Sequence, residues 1–355
     1  MFCQLLLGAL LFRAPTPATV DKLKPATAKI VDSTVERWMT NSSVPGVELA
    51  IQRNGETVYE KGYGYADVEA KTVPGPDTEF QIDSVTKCFT AMAVMRLIEM
   101  GKVKLDSPLS AYIQVPNDKW KTLTVRMLLS MTSGIPTGGT LTGTYKEVME
   151  RVAKEQTPFG VGLTFEPGTQ YLYSNVGFCL LGQIIEAANG NNEDYFGFVK
   201  RVILEPLGMQ NSGFLDFPKL ANRATPYVEG EAVKPREPIS GFAGGGMSST
   251  MHDMERFAEA IQNRRLLSPD SYTLMWTPAT LTSGSAVLWG MGWELRPVEL
   301  NHFSSVIAKN GGGYGWGAQF NYYPQKGICV ILLANTTGNN PTGPVLTAAK
   351  AVDRD

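Results

Sequence analysis

Histidine is scarce in this chain, with only His252 and His302 among 355 residues. Neither belongs to a His-Glu-x-x-His motif, in which two imidazoles on one helix face bind zinc. The sequence also contains no Gly-x-Ser-x-Gly motif, which argues against an α/β-hydrolase built on a Ser, His and acid triad. We therefore expect no metal site and no cofactor.

Cysteine is also rare, with four residues in the whole chain. Apart from Cys3 near the start, the cysteines are Cys88, Cys179 and Cys329, an odd number at wide spacings. Such spacings fit neither a disulfide framework nor a zinc site. We expect these three side chains to be small buried apolar groups.

The chain has no excess charge of either sign and no long hydrophobic run. Its 32 Lys and Arg residues against 34 Asp and Glu residues give no electrostatic reason to bind nucleic acid. The apolar run at residues 2–12 is too short to span a bilayer but has the length of a signal-peptide core. We expect residues 1–19 to be a leader of a secreted or periplasmic protein, with no integral membrane span. The partner should be a small molecule or a short peptide.

Strand patterns occur near both ends of the chain. Residues 46–52 alternate in polarity, Asn54-Gly55 is a strong hairpin turn signal, and residues 57–65 supply the returning strand. From residue 288 the segments LWGMGWELRP, SSVIAKN, GAQFNYYP and GICVILLAN have strand character, and a helix is expected near residues 344–352. Another helix is expected around Val31 to Met39. These elements combine most simply into one antiparallel sheet flanked by the two terminal helices.

The middle of the chain is mostly helical in pattern. Helices are predicted at residues 84–100, 125–131, 145–155, 175–189, 195–204 and 251–263. Long Gly, Pro and Thr segments such as GIPTGGTLTGT separate them and are typical of loops that line a cleft. We predict an α+β fold in which residues 20–66 and 286–355 form a sheet lobe and residues 67–285 form an inserted helical lobe. The active site is expected in the cleft between the lobes.

The segment IDSVTKCFT places Ser84 three residues before Lys87 at the start of a predicted helix. Side chains three apart on a helix are neighbours. A lysine whose pKa is lowered by burial or by a nearby cation can accept a proton from a hydroxyl. Taken alone, the pair fits a helix N-cap followed by a surface lysine better than it fits a nucleophile with its base.

Two further patterns change that balance. Tyr173-Ser174-Asn175 precedes an apolar helix, and residues two apart in an extended segment point to the same side. Lys309-Asn310-Gly311 ends a predicted strand, where a cation adjoins residues that let a substrate approach the backbone. Each pattern has an ordinary structural interpretation in isolation. Together, one on a helix start, one on a loop and one on a late strand, they favour a catalytic site.

The sequence thereby resembles the family of serine β-lactamases and penicillin-recognising enzymes, in particular class C β-lactamases, D-alanyl-D-alanine carboxypeptidases and family VIII carboxylesterases. The resemblance extends from about residue 44 to the C-terminus. It rests on SVTK, LLSMTSGIP, FEPGTQYLYSNVGFCLLGQIIE, GGGMSSTMHDMERF and GMGWEL, and it implies the fold predicted above.

By this resemblance Ser84 is the acylated nucleophile, Lys87 its proton acceptor or electrostatic partner, and Tyr173 a general acid and base. Asn175, Lys309 and Gly311 are expected to bind substrate, and the backbone NH groups of Ser84 and Gly312 to form the oxyanion hole. Two cations near Tyr173 should favour its phenolate form. Lys309 is typical of β-lactamases, which makes an anionic substrate group plausible. Asn310 stands where those enzymes usually carry threonine.

Several functions share this machinery. The leading hypothesis is a serine hydrolase that forms an acyl-enzyme on Ser84 and hydrolyses an ester or an amide, as a carboxylesterase or a β-lactamase does. Alternatives are a D-amino-acid peptidase and a biosynthetic acyltransferase. A non-catalytic binding protein with the same fold is a further alternative, although the presence of Ser84, Lys87 and Tyr173 together argues against it.

Overall fold

The computed structural model describes residues 19–137, 145–214, 222–234, 242–300, 302–337 and 340–355. Except for Thr19, the expected leader at residues 1–19 lies outside this range, so the leader and the location outside the cytoplasm stay predictions. The end of the GIPTGGTLTGT segment, from residue 138, also lies outside the described residues. Within those residues, no helix has both the length and the apolar character needed to cross a membrane.

The described residues form one large sheet and three two-stranded sheets. The strands are β1 Val20–Asp21, β2 Gly46–Arg53, β3 Glu56–Gly64, β4 Phe80–Gln81, β5 Gln156–Thr157, β6 Gly160–Val161, β7 Tyr227–Val228, β8 Glu231–Ala232, β9 Ser248–Ser249, β10 Glu294–Arg296, β11 Val306–Gly313, β12 Trp316–Tyr323 and β13 Ile328–Ala334. The large sheet has the order β1-β3-β2-β13-β12-β11-β10, and every pair in it is antiparallel.

Helices fill the middle of the chain and both of its ends. The α-helices are α1 Pro25–Ser42, α2 Thr86–Glu99, α3 Val125–Leu129, α4 Tyr145–Ala153, α5 Asn175–Ala188, α6 Tyr195–Val199, α7 Glu205–Leu207, α8 Phe242–Gly245, α9 Met251–Gln262, α10 Pro269–Met275 and α11 Thr342–Asp353. Short 3₁₀ turns span Asp83–Val85, Leu109–Ala111, Asp118–Thr122 and Val298–Leu300, and a π turn spans Lys200–Leu204 between α6 and α7.

The two faces of the large sheet are covered by different parts of the chain. The terminal helices α1 and α11 cover one face, where their apolar side chains pack on alternate residues of the central strands such as Val47, Leu49 and Ile51. The other face meets the helical middle of the chain, and α9 packs there against β2 and β13. Cys88, Cys179 and Cys329 are all buried, as expected.

The α+β prediction is confirmed, because β2 from the start of the chain pairs with β13 from its end. The Asn54-Gly55 turn is also confirmed, since both residues have positive φ angles (51° and 83°) as a tight hairpin requires. The division into lobes at residues 66 and 286 stays a prediction. The predicted strand at residues 288–297 is shorter than expected, because only Glu294–Arg296 pairs with β11.

Candidate active site

Ser84 lies in the 3₁₀ turn Asp83–Val85, immediately before α2. The preceding Asp83 has a φ of 43°, a left-handed conformation that is uncommon outside glycine but accessible to aspartate. Lys87 follows in the first turn of α2, fully buried, with its Nζ 3.2 Å from Ser84 Oγ. The predicted spacing thus places both groups in contact.

The glycines after Lys309 let strand β11 lie directly against this turn. A Cβ on Gly311 would overlap the carbonyl oxygen of Ile82, and a Cβ on Gly313 would overlap the Asp83 carboxylate. Gly312 faces open space instead. The glycines therefore have two effects. They allow the strand to lie close to the start of α2, and they leave room beside Gly312.

The ammonium position of Lys87 is enclosed by polar and aromatic groups. Its Nζ donates to Asn175 Oδ1 at 2.7 Å and to the carbonyl oxygen of Gly244, and it lies 4.7 Å from the centre of the Tyr173 ring. Burial, and then the charge of Lys309, hold the pKa of Lys87 well below its ordinary value of 10.5. A neutral amine would use both N–H bonds on these two oxygens and keep its lone pair for Ser84.

Tyr173 lies just before α5, which begins where Ser174 Oγ accepts a hydrogen bond from the backbone N–H of Gly177 at 3.0 Å. The Tyr173 hydroxyl donates to Ser84 Oγ at 2.7 Å. Burial raises the pKa of this phenol above its ordinary value, although the contact with Ser84 opposes the shift. The expectation of a phenolate is therefore not met in this state of the site, because desolvation of the buried ring favours the neutral phenol.

Lys309 reaches the same site from β11, but its charge is already paired. Its Nζ lies 3.0 Å from Glu294 Oε1 on the neighbouring strand β10, and the lysine side chain is almost fully buried. Glu294 also binds Arg296 at 2.6 Å. Burial alone would raise the pKa of Glu294, but Lys309 and Arg296 together lower it below its ordinary value.

A cavity of about 490 Å³ opens beside Tyr173 and this ion pair. Its walls are mainly aromatic and aliphatic, and include Tyr171, Val287, Leu288, Trp289 and Leu300. The Trp289 ring packs edge-on against Tyr173, with 5.8 Å between the ring centres. Such a volume and lining are typical of a small-molecule site.

The structure therefore brings Ser84, Lys87, Tyr173, Asn175 and Lys309 together, with Gly311 and Gly312 beside them. Their catalytic and binding roles stay predictions, as does the oxyanion hole.

The site also includes Glu294, Arg296 and Trp289, which the sequence patterns did not indicate as site residues. Only their alternating positions in WELRP could have marked Glu294 and Arg296 as neighbours on one strand face. Nothing in the sequence placed that strand beside Lys309.

A serine in contact with a buried lysine and a tyrosine, at the start of a helix that abuts a sheet edge, has the arrangement of an acyl-transferring serine enzyme. The chain belongs to the beta-lactamase family, whose model matches residues 31–353. The fold is accordingly that of the β-lactamase and penicillin-binding-protein-like serine hydrolases.

Two similar proteins agree with membership of the beta-lactamase family. Protein flp of Staphylococcus aureus (strain MRSA252) is 30% identical over 333 residues, which cover 86% of this chain and 62% of that protein. This chain thus spans less than two thirds of the length of that relative. A protein named beta-lactamase from Pseudomonas fluorescens is 27% identical, with 91% of this chain and 97% of the relative covered.

A solved structure is also similar to this chain. The octameric penicillin-binding protein homologue from Pyrococcus abyssi superposes with a TM-score of 0.75 at 28% identity. The match covers 92% of this chain and 76% of that one.

Proposed function

We propose that this protein hydrolyses small carboxylic esters through an acyl-enzyme on Ser84. The observation that carries the proposal is the position of Ser84 Oγ, 2.7 Å from the Tyr173 hydroxyl and 3.2 Å from Lys87 Nζ. Because Tyr173 donates to this oxygen, the Ser84 proton is directed towards Lys87. An uncharged Lys87 accepts that proton as Oγ attacks the substrate carbonyl.

The remaining steps of the proposed reaction use the same side chains and two backbone NH groups. The backbone NH groups of Ser84 and Gly312 stabilise the developing oxyanion. Tyr173 gives its proton to the departing alkoxide and regains one from the protonated Lys87, which releases the alcohol. Water then attacks the carbonyl carbon of the acyl group and loses a proton to Lys87. Ser84 Oγ recovers that proton as the carboxylic acid departs.

The cavity favours an apolar, uncharged substrate. Its walls are largely aromatic and aliphatic, and burying apolar surface there stabilises a bound acyl or alkoxy chain. A substrate carboxylate directed at Lys309 would have to compete with Glu294, which already lies 3.0 Å away. Esters of simple acids avoid that competition.

Hydrolysis of a β-lactam or of a D-alanyl peptide is a second candidate, supported by the charges of the site. Lys309 and Arg296 carry two positive charges against the single negative charge of Glu294. This excess leaves Arg296 as a partner for a carboxylate. The names of the Pseudomonas fluorescens and Pyrococcus abyssi relatives agree with such a substrate.

A fluorophosphonate probe and a substrate panel test the proposal. The probe is expected to add one label to Ser84, located by peptide mass analysis, and none to Ser84→Ala. Ser33→Ala, at an exposed position on α1, is the matched control and should be labelled like the wild type. The panel compares p-nitrophenyl esters of increasing chain length with nitrocefin and a D-alanyl-D-alanine peptide. Label on another residue refutes the nucleophile, and turnover of nitrocefin or peptide alone refutes the ester preference.

A further inference from the structure

A second cluster of ionisable side chains lies between the large sheet and α9, outside the Ser84 network. Glu60 of β3 meets His252 and Glu255 of α9, and one potential ligand atom from each of the three lies within 4.8 Å of the others. Glu48 of β2 lies near them, since burial, and then the charges of Glu60 and Glu255, raise the pKa of its carboxyl group. Three carboxyl groups and one imidazole thus share one region.

The sheet register and the helix period bring these residues together. Glu48 pairs with Gly62, and two residues further along β2 Ala50 pairs with Glu60, so both carboxyl groups point to the face that α9 covers. His252 and Glu255 are three residues apart on α9 and therefore share one side of the helix.

The two sheet carboxyl groups are buried, and three of their four oxygens have no hydrogen-bond partner among the described residues. Glu60 is only 1% exposed and Glu48 is fully buried. Oε1 of Glu60 and both carboxyl oxygens of Glu48 accept no hydrogen bond from the described part of the chain. Buried carboxylates are costly unless a cation or a proton compensates them.

The local protein cations compensate this charge only in part. Arg256, which acts on Glu255 through its charge, donates to Asp253 at 2.8 Å. The His252 imidazole lies near both Glu60 and Glu255, and as a neutral ligand it would not compensate their charge.

We propose that Glu60, His252 and Glu255 bind a divalent transition-metal ion of the Zn²⁺ or Mn²⁺ type. Two carboxylates and an imidazole suit such ions, whereas Ca²⁺ and Mg²⁺ prefer sites made of oxygen alone. Ligands around zinc lie about 3.4 Å from one another at bond lengths near 2.1 Å. The three groups therefore need only a small closure around the ion.

Neighbouring groups already orient two of the ligands. Nδ1 of His252 lies 2.9 Å from a carboxylate oxygen of Asp77, so that nitrogen carries the proton and the Nε2 lone pair is available to a metal. The Thr57 hydroxyl donates to Glu255 Oε1 at 2.7 Å. The His252 side chain is 41% exposed, which gives an ion a route from solvent.

Metal binding would join β3 to α9, the helix whose Phe257 stacks on Phe89 of α2 with 4.1 Å between ring centres. An ion that binds only the folded chain raises its stability. A bound ion would therefore stabilise the packing of the large sheet against the helical middle of the chain. This role is separate from the proposed ester hydrolysis at Ser84.

Titration calorimetry on chelator-treated full-length protein, with ZnCl₂, MnCl₂ and CaCl₂ in turn, tests the site. We expect one Zn²⁺ or Mn²⁺ per chain and weaker binding of Ca²⁺. Glu255→Gln and His252→Asn should each weaken the affinity by more than about 100-fold, and Asp77→Asn by about 10- to 100-fold, as for groups that orient a ligand. The metal should raise the melting temperature of the wild type but not that of Glu255→Gln or His252→Asn.

Two matched variants serve as controls. Glu259→Gln lies one turn further along α9, where the glutamate pairs with Arg265, and His302→Asn removes the other histidine of the chain. Both should bind the metal like the wild type. If Glu255→Gln fails to fold, the half-exposed His252→Asn still decides the question. Absence of binding at about 1 mM metal, equal binding by the ligand variants, or a preference for Ca²⁺ would each overturn the proposal.

Discussion

The Tyr173 hydroxyl donates a hydrogen bond of 2.7 Å to Ser84 Oγ, and this contact leaves the serine proton to another neighbour. An oxygen that accepts from a phenol offers its own proton to another neighbour, and Lys87 Nζ lies 3.2 Å away. Phenol, hydroxyl and amine therefore form one continuous chain of hydrogen bonds. Burial raises the pKa of the phenol and lowers that of the lysine, and both shifts favour the proposed donor at one end of the chain and the proposed base at the other.

Removing only the Tyr173 hydroxyl should slow ester turnover without weakening substrate binding. In Tyr173→Phe the ring still packs against Trp289, but the proton for the leaving alkoxide is lost. We expect kcat to fall by about 10²- to 10⁴-fold, the usual contribution of a general acid, with KM changed little. Steady-state kinetics with p-nitrophenyl butyrate and with an alkyl ester of poor leaving group measure the effect.

The alkyl ester should be affected more, because a nitrophenolate departs without protonation. Tyr322→Phe is the matched control, since that ring packs against Trp276, and it should keep wild-type kinetics. Equal losses with both esters would remove Tyr173 from the role of leaving-group acid.

Lys87 should reduce the stability of the fold in a pH-dependent way. Its pKa lies below 10.5 in the folded chain because burial disfavours the ammonium form. Between the folded pKa and 10.5 the unfolded chain binds a proton that the native chain lacks, so the free energy of unfolding rises with pH in that window. In Lys87→Met this contribution is absent.

Urea unfolding of both proteins between about pH 7 and pH 10 measures this linkage. The free energy of unfolding of the wild type, minus that of Lys87→Met, is expected to increase as the pH rises. Lys154→Met, at an exposed position after α4, is the control and should show no such trend. A difference that is constant or that falls with pH would mean that Lys87 is charged in the native protein.

Most of the fold was predictable from local patterns in the sequence. The hairpin of β2 and β3 follows from alternation around Asn54-Gly55, and α5 follows from its apolar run. The two-residue strands that pair β4 with β9 could not be predicted, because two residues carry no periodicity. The edge strand β10 is shorter than predicted, since only Glu294–Arg296 pairs with β11, and the burial of Trp293 comes from its packing on Phe257 and Phe320.

Contacts within the site could be predicted only between residues that are close in sequence. Ser84 and Lys87 are three apart on one helix start, and Tyr173 and Asn175 are two apart, so their spacing predicts that they are neighbours. Glu294 lies 15 residues before Lys309 in the sequence and meets it only through the pairing of β10 with β11. The ion pair of Lys309 with Glu294 can therefore be seen only in the structure.

Glu294 should limit the use of substrates that carry a carboxylate. Glu294→Gln removes the negative charge from Lys309 and Arg296, so that a substrate carboxylate can take its place. We expect KM for mono-p-nitrophenyl succinate to fall by roughly tenfold, about the value of one hydrogen bond to a charged group. KM for p-nitrophenyl butyrate, which has the same acyl length without the charge, should stay unchanged.

The comparison of the two esters separates charge from general damage to the site. Glu69→Gln, at an exposed position, controls for the loss of one negative charge from the protein and should leave both KM values unchanged. If both substrates weaken equally in Glu294→Gln, the glutamate holds the site together instead of selecting substrates. That result would also reject competition between Glu294 and a substrate carboxylate.

The glycines of β11 should differ sharply in their tolerance of a methyl group. Gly311→Ala places its Cβ on the carbonyl oxygen of Ile82, a backbone atom that cannot rotate away, whereas Gly312→Ala faces open space. Overpacking of this kind costs about 1–3 kcal/mol, so Gly311→Ala should lower the free energy of unfolding by that amount and Gly312→Ala by much less. The shift of β11 away from the 3₁₀ turn should also slow labelling of Ser84 by fluorophosphonate in Gly311→Ala. Chemical denaturation and the labelling rate measure the two effects, and equal stability of the two variants would show that β11 does not need to lie against the start of α2.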